Sequence, residues 1–179
     1  MPRQLAAKNT NPLVSWLSRP KGNSAPKTQE QHPTIADLQL QVGYYHSPEG
    51  NIGLQNLCAA NPVIKELINA LPLSVNAGNQ PTVQAQLIQI SRQLVEAQLK
   101  SADIKTRTLS LQCLSYLDTS SIEAIQQKFK APHTLESLQM NGGALRSLPA
   151  EVSNLKLDAL YLENNLFHIA LPKKKSNTL

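Results

Sequence analysis

The chain has 179 residues, 41% of them hydrophobic but only 4% aromatic, and a formal net charge of +5. That length holds one domain or two small ones, and a core so short of rings must be filled by leucine and isoleucine, which argues against an aromatic-rich sandwich. The charge sits at the ends: residues 1–29 carry five basic groups and no acid, residues 173–175 are three lysines, and the stretch between holds nine basic against twelve acidic groups. A nucleic-acid-binding domain would concentrate basic charge on its folded surface instead.

In chain order, residues 1–33 read as a disordered basic leader. Five prolines, with Asn, Ser, Lys and Gln, leave little that could bury a face. The leader has the composition of an address, similar to a transit peptide or to the unfolded leader of bacterial type III secretion substrates. Residues 34–102 read as a helical unit. Thr34-Ile35-Ala36-Asp37 has the form of a capping box, although Leu38, Leu40, Val42 and Tyr44 alternate as a strand would; a short helix is the preferred reading. A second apolar stretch holds Leu54, Leu57 and Cys58. Asn61-Pro62 then opens a helical stripe of Val63, Ile64, Leu67, Ile68 and Leu71, ended by Pro72. The strongest helix is predicted from Pro81 to Ser101, where Val83, Leu87, Ile90, Leu94 and Ala97 recur at steps of four and three.

The period changes after Ile104. Leu135-x-x-Leu138-x-Met140-x-x-Gly143-x-Leu145 returns 22 positions later as Leu157-x-x-Leu160-x-Leu162-x-x-Asn165-x-Phe167. Leu109, Leu111, Leu114 and Tyr116 fit the same template 29 positions before the first copy. The longer interval leaves room for a helix, which Ser120-Ser121-Ile122-Glu123 would cap and Pro132 would stop. Short parallel strands are predicted near 108–111, 137–140 and 159–162. Residues 103–172 form this repeated region, and 173–179 a basic tail.

This pattern resembles the leucine-rich repeat, whose coils stack into a solenoid. Helices feeding into such repeats are similar in layout to bacterial type III secreted effectors of the invasion plasmid antigen H and Yersinia outer protein M kinds. The resemblance implies an α+β protein in which a helical N-terminal unit caps a short solenoid of about three coils, and a host-directed secreted effector that binds a protein. Two departures stand beside it. The family's asparagine at position nine is present only as Asn165, with Leu114 and Gly143 in its place elsewhere. The cysteine-bearing catalytic domain that follows the repeats in the ligase members has no counterpart, so ligase activity is not implied.

The chemistry of the remaining residues is sparse. Cys58 and Cys113 lie in apolar contexts and read as buried thiols, with one disulfide left open. His133 and Asp118 are the groups that could reach Cys113 if it were a nucleophile. His32, His46, His133 and His168 lack metal-ligand spacing, and Gly142-Gly143 lacks the Lys-Ser/Thr of a phosphate loop. No metal and no cofactor are expected. No apolar run is long enough to cross a bilayer, and no Asn-x-Ser/Thr sequon occurs. The function expected is a protein-interaction module without chemistry. Its contact residues would be the outward strand positions: Ser110, Gln139 and Tyr161 in one row, Gln112, Asn141 and Glu163 in the next. The alternatives are a cysteine-dependent enzyme, or an electrostatic binder of membrane or nucleic acid through the basic ends.

Overall fold

The structure, a computed structural model, describes residues 33–47 and 51–167. The leader up to residue 32, the basic tail, His32, His168 and the Leu171-Pro172 pair lie outside the described residues.

Four helices come first. α1 is Ile35–Tyr45, and Thr34 starts it as a full capping box: the Thr34 hydroxyl accepts from the Asp37 N–H at 3.0 Å, and the Asp37 carboxylate accepts from the Thr34 N–H at 2.9 Å. The alternation of Leu38, Leu40 and Val42 is therefore not a strand. Leu38, Gln41, Val42 and Tyr45 share one buried helical face, while Leu40 is left in solvent. α2 is Ile52–Ala60, capped by Asn51. α3 is Pro62–Asn69, opened by its proline; Asn61 makes no side-chain cap but bonds back to the Leu57 carbonyl. α4 is Gln80–Ser101, and its face of Val83, Leu87, Ile90 and Leu94 is fully covered.

Three short strands follow: β1 Thr108–Ser110, β2 Ser137–Gln139 and β3 Ala159–Tyr161. They pair in parallel in the order β1-β2-β3, with Leu109 opposite Leu138 and Leu138 opposite Leu160. α5, Thr119–Lys128, joins β1 to β2, and a 3₁₀ segment, Ala150–Leu155, joins β2 to β3. α5 is capped by Asp118, which accepts from the Ser121 N–H at 3.0 Å, and not by Ser120 as the sequence suggested. Aspartate is the stronger acceptor at a positive helix end.

The predicted solenoid has to be corrected. About 51% of the described residues are helical, and the described strands are three short segments in one sheet; no three-coil leucine-rich-repeat solenoid is evident among them. A solenoid buries each coil against the next. Here the inward Leu109, Leu138, Leu160, Leu111, Met140 and Leu162 join a single core with Leu38 and Val42 of α1 and with Val83, Leu87, Ile90 and Leu94 of α4. α1, α3 and α5 all pack against α4. The two segments that lack the position-nine asparagine have their turns held by helices instead of by their own side chains, and that draws the sheet into a helical body. No described helix is long and apolar enough to cross a membrane.

Candidate functional site

The parallel register brings the six predicted contact residues onto one face. Ser110, Gln139 and Tyr161 are direct neighbours across the three strands. Gln112, Asn141 and Glu163 follow two residues later on each, where side chains return to the same face of an extended chain. Beyond the strands proper the ladder continues: the Leu111 N–H donates to the Gln139 carbonyl, Met140 N–H to Tyr161 and Gly142 N–H to Glu163, each at 2.9 Å. Ser110, Gln112, Asn141 and Glu163 are exposed, and Gln139 and Tyr161 half-buried. In the row before them, the hydroxyls of Thr108 and Ser137 bond at 2.8 Å.

The frame of this face is stiff. The Asn141 side-chain oxygen accepts from the Glu163 N–H at 2.8 Å, which fixes this exposed side chain by its oxygen. At the β1 edge, Gln98 of α4 brackets Gln112: its oxygen accepts from the Gln112 N–H at 2.8 Å and its nitrogen donates to the Gln112 carbonyl at 3.0 Å. A side-chain amide thus takes the place of a neighbouring strand, the usual need of an unpaired edge. α2 also comes close here, since a Cβ on Gly53 would lie 2.5 Å from the Gln112 side-chain oxygen.

Behind the face, each strand runs into a turn through a left-handed residue at the same position: Cys113 (φ 66°), Gly142 (φ 73°) and Asn164 (φ 60°). The first two turns are held from α1. Gln41, 3% exposed, donates to the carbonyls of Ser115 at 2.8 Å and Ala144 at 3.0 Å. The Tyr44 hydroxyl donates to the Gly142 carbonyl at 2.9 Å and accepts from Asn51, and the Tyr45 hydroxyl donates to the Cys113 carbonyl at 2.7 Å. Buried Ser91 of α4 accepts from the N–H groups of Ser115 and Tyr116. The third turn is held by Asn165, which donates to the carbonyls of Met140 at 2.7 Å and Leu162 at 3.1 Å and accepts from the Leu145 N–H at 3.0 Å. Gly143 has to be glycine: a Cβ there would sit 2.8 Å from the Leu114 carbonyl oxygen.

Sequence reasoning found the two outward rows but missed Gln41, Tyr44, Tyr45, Ser91 and Gln98. Their only trace was negative, the missing asparagines at positions 114 and 143.

Both thiols have their pKa values raised by burial. Cys113 is buried, with Asn51 Oδ1 4.0 Å from its Sγ. Burial pushes its pKa up, against the lowering effect of a bond with Tyr44. Cys58 is half-buried and also pushed up by burial, with Lys65 pulling the other way. Asp118, one of the groups that could have served Cys113, is engaged elsewhere. It pairs with Arg92 at 2.6 Å and caps α5. Burial alone would raise its carboxyl, but Arg92 and the Ser121 N–H hold it below the usual range. Among the described residues no group of three His, Cys, Asp or Glu is placed to hold a metal ion. Comparison with protein-family models, with curated proteins and with solved structures finds no match to this chain.

Proposed function

We propose that the outward face of the three-stranded sheet binds a partner protein and that the chain carries out no chemistry of its own. The observation that supports this is the alignment of Ser110, Gln139 and Tyr161 with Gln112, Asn141 and Glu163 in two rows on a frame braced from behind. Preorganised side chains lose little entropy on binding. Tyr161 offers a wide ring and a hydroxyl at low entropy cost, the residue type that most often anchors an interface. Gln139 and the exposed amide of Asn141 supply hydrogen bonds around it, and Glu163 sets a negative charge at one corner.

The patch spans only three short strands, and a standard interface takes ~800 Å² per partner. Contact must extend onto flanking elements, or the affinity is modest. The test is site-specific photo-crosslinking in the producing cell, with a benzophenone side chain at Gln139 and, as control, at exposed Gln89 of α4. A discrete protein adduct from position 139 that weakens with Tyr161→Ala, and is absent from position 89, is the expected result. Equal adducts from both positions, or adducts indifferent to Tyr161, would remove the sheet face from consideration.

A further inference from the structure

α1, α2 and α3 meet around a cleft of about 480 Å³ on the side of the molecule formed by the helices, lined by Tyr45, His46, Leu54, Cys58, Lys65 and Ile68 among others. That is the size range of small-molecule sites. Its inner wall is apolar: Leu54, Ile68 and Tyr45 are buried core residues, and the Tyr45 hydroxyl is engaged by the Cys113 carbonyl. The His46 ring is fixed by its Nε2 on the Leu71 carbonyl at 3.1 Å. Since a carbonyl only accepts, Nε2 carries the hydrogen.

The charge of the lining is one-sided. Among the described residues that line it, Lys65 is the only obligate cation and none is a carboxylate. Lys65 and Cys58 line the same cleft, and the Lys65 charge favours the ionised thiol. Asn69, at the rim, adds an amide donor. An apolar wall under a lone positive group matches a ligand with one negative head and an apolar tail.

We propose that this cleft binds a small monocarboxylate with an apolar tail, its head on Lys65 and its tail against Leu54, Ile68 and the Tyr45 ring. Cys58 provides a reporter inside the same space. The test uses the full chain with octanoate below its micelle concentration. Two readouts are followed: the rate of Cys58 alkylation by iodoacetamide, located by peptide mass spectrometry, and the NMR shifts of the Leu54 and Ile68 methyl groups. At ten times the dissociation constant, octanoate should slow alkylation about tenfold by mass action and move both methyls. Octylammonium, with the same tail and the opposite charge, should do neither. Lys65→Met should weaken octanoate binding about fivefold, the worth of a partly exposed ion pair, and Lys65→Arg should restore it. Equal effects of octanoate and octylammonium, an unchanged affinity in Lys65→Met, or unmoved Leu54 and Ile68 methyls would each overturn the proposal. If Cys58 proves unreactive in the free chain, the methyl shifts decide alone. Lys65 is exposed, so its variants keep the fold.

Discussion

The turns after the three strands solve one problem in two ways. All three pass through a left-handed residue at the same position, and all three expose carbonyls that need donors. The turn at 162–166 supplies its own donor, since Asn165 reaches Leu162 in its own segment and Met140 in the one before. The turns at 113–116 and 142–145 import theirs from α1, through Gln41, Tyr44 and Tyr45. A self-held turn costs one local residue and can be repeated without limit. A helix-held turn ties the sheet to a particular helix at a particular place. The mixture explains why a repeated sequence builds one helical body and not a solenoid.

The largest effect comes from breaking what both kinds of turn share. Leu138 sits at the centre of the sheet, 0% exposed, and Leu138→Ala should cost about 2–5 kcal/mol in chemical denaturation. A loss under ~0.5 kcal/mol would mean the strands are not part of the core. The next pair separates the two regions. Gln41→Ala leaves the carbonyls of Ser115 and Ala144 buried and without their donor, and should cost about 2–3 kcal/mol. It should also release the amides of α1 to faster hydrogen exchange. Asn165→Ala should cost roughly 1–3 kcal/mol yet leave α1 protected. If both variants loosen α1 equally, the two turn types are one structure and the distinction fails.

How much of this the sequence showed follows the same division. Leucine spacing is local, so it placed the strand segments and the outward rows of Ser110, Gln139 and Tyr161. The stripe of Val83, Leu87, Ile90 and Leu94 likewise placed α4. Gln41 bonds to residues 74 and 103 positions away, and no period in a sequence records such a bond. The apolar residues of the repeats gave no sign of whether the next coil or a helix would cover them, which is why the solenoid was expected. The α1–α2–α3 cleft was equally hidden, because its lining comes from three separate helices whose neighbours only the fold decides.

Two neighbouring glycines sharpen the comparison at smaller scale. Gly143→Ala would push a methyl to 2.8 Å from the Leu114 carbonyl oxygen, a backbone atom that Ala144 already bonds at 2.8 Å. It should cost about 1–3 kcal/mol, as overpacking does. Gly142→Ala has open space around it and only the left-handed φ of 73° against it, so about 1 kcal/mol is expected. Cys113 and Asn164 hold the same conformation with side chains in place, which shows that the site accepts one. A greater loss at position 142 than at 143 would mean that close approach does not fix the spacing of the turns.

The smallest effect near neutral pH is the one that points most directly at the helix-held turns. Tyr44, Tyr45 and Cys113 all lie there, and all have pKa values raised in the fold, chiefly by burial. A raised pKa means the folded state keeps a proton that the unfolded state loses. The contribution is therefore complete below the unfolded value and declines as pH rises beyond it. Thiols ordinarily ionise near pH 9.0 and tyrosines near 10.0, so stability should be flat through neutrality and fall from about pH 9 upward. Cys58, also raised, adds to the same limb from outside the turns. Tyr45→Phe removes one of the groups and should shallow the alkaline slope even though it costs stability at pH 7 by freeing the Cys113 carbonyl. Asn165→Ala removes no titrating group and should lower the whole curve without changing that slope. Measuring midpoint against pH for the two variants separates them, and parallel curves would show that Tyr45 does not contribute to the alkaline limb.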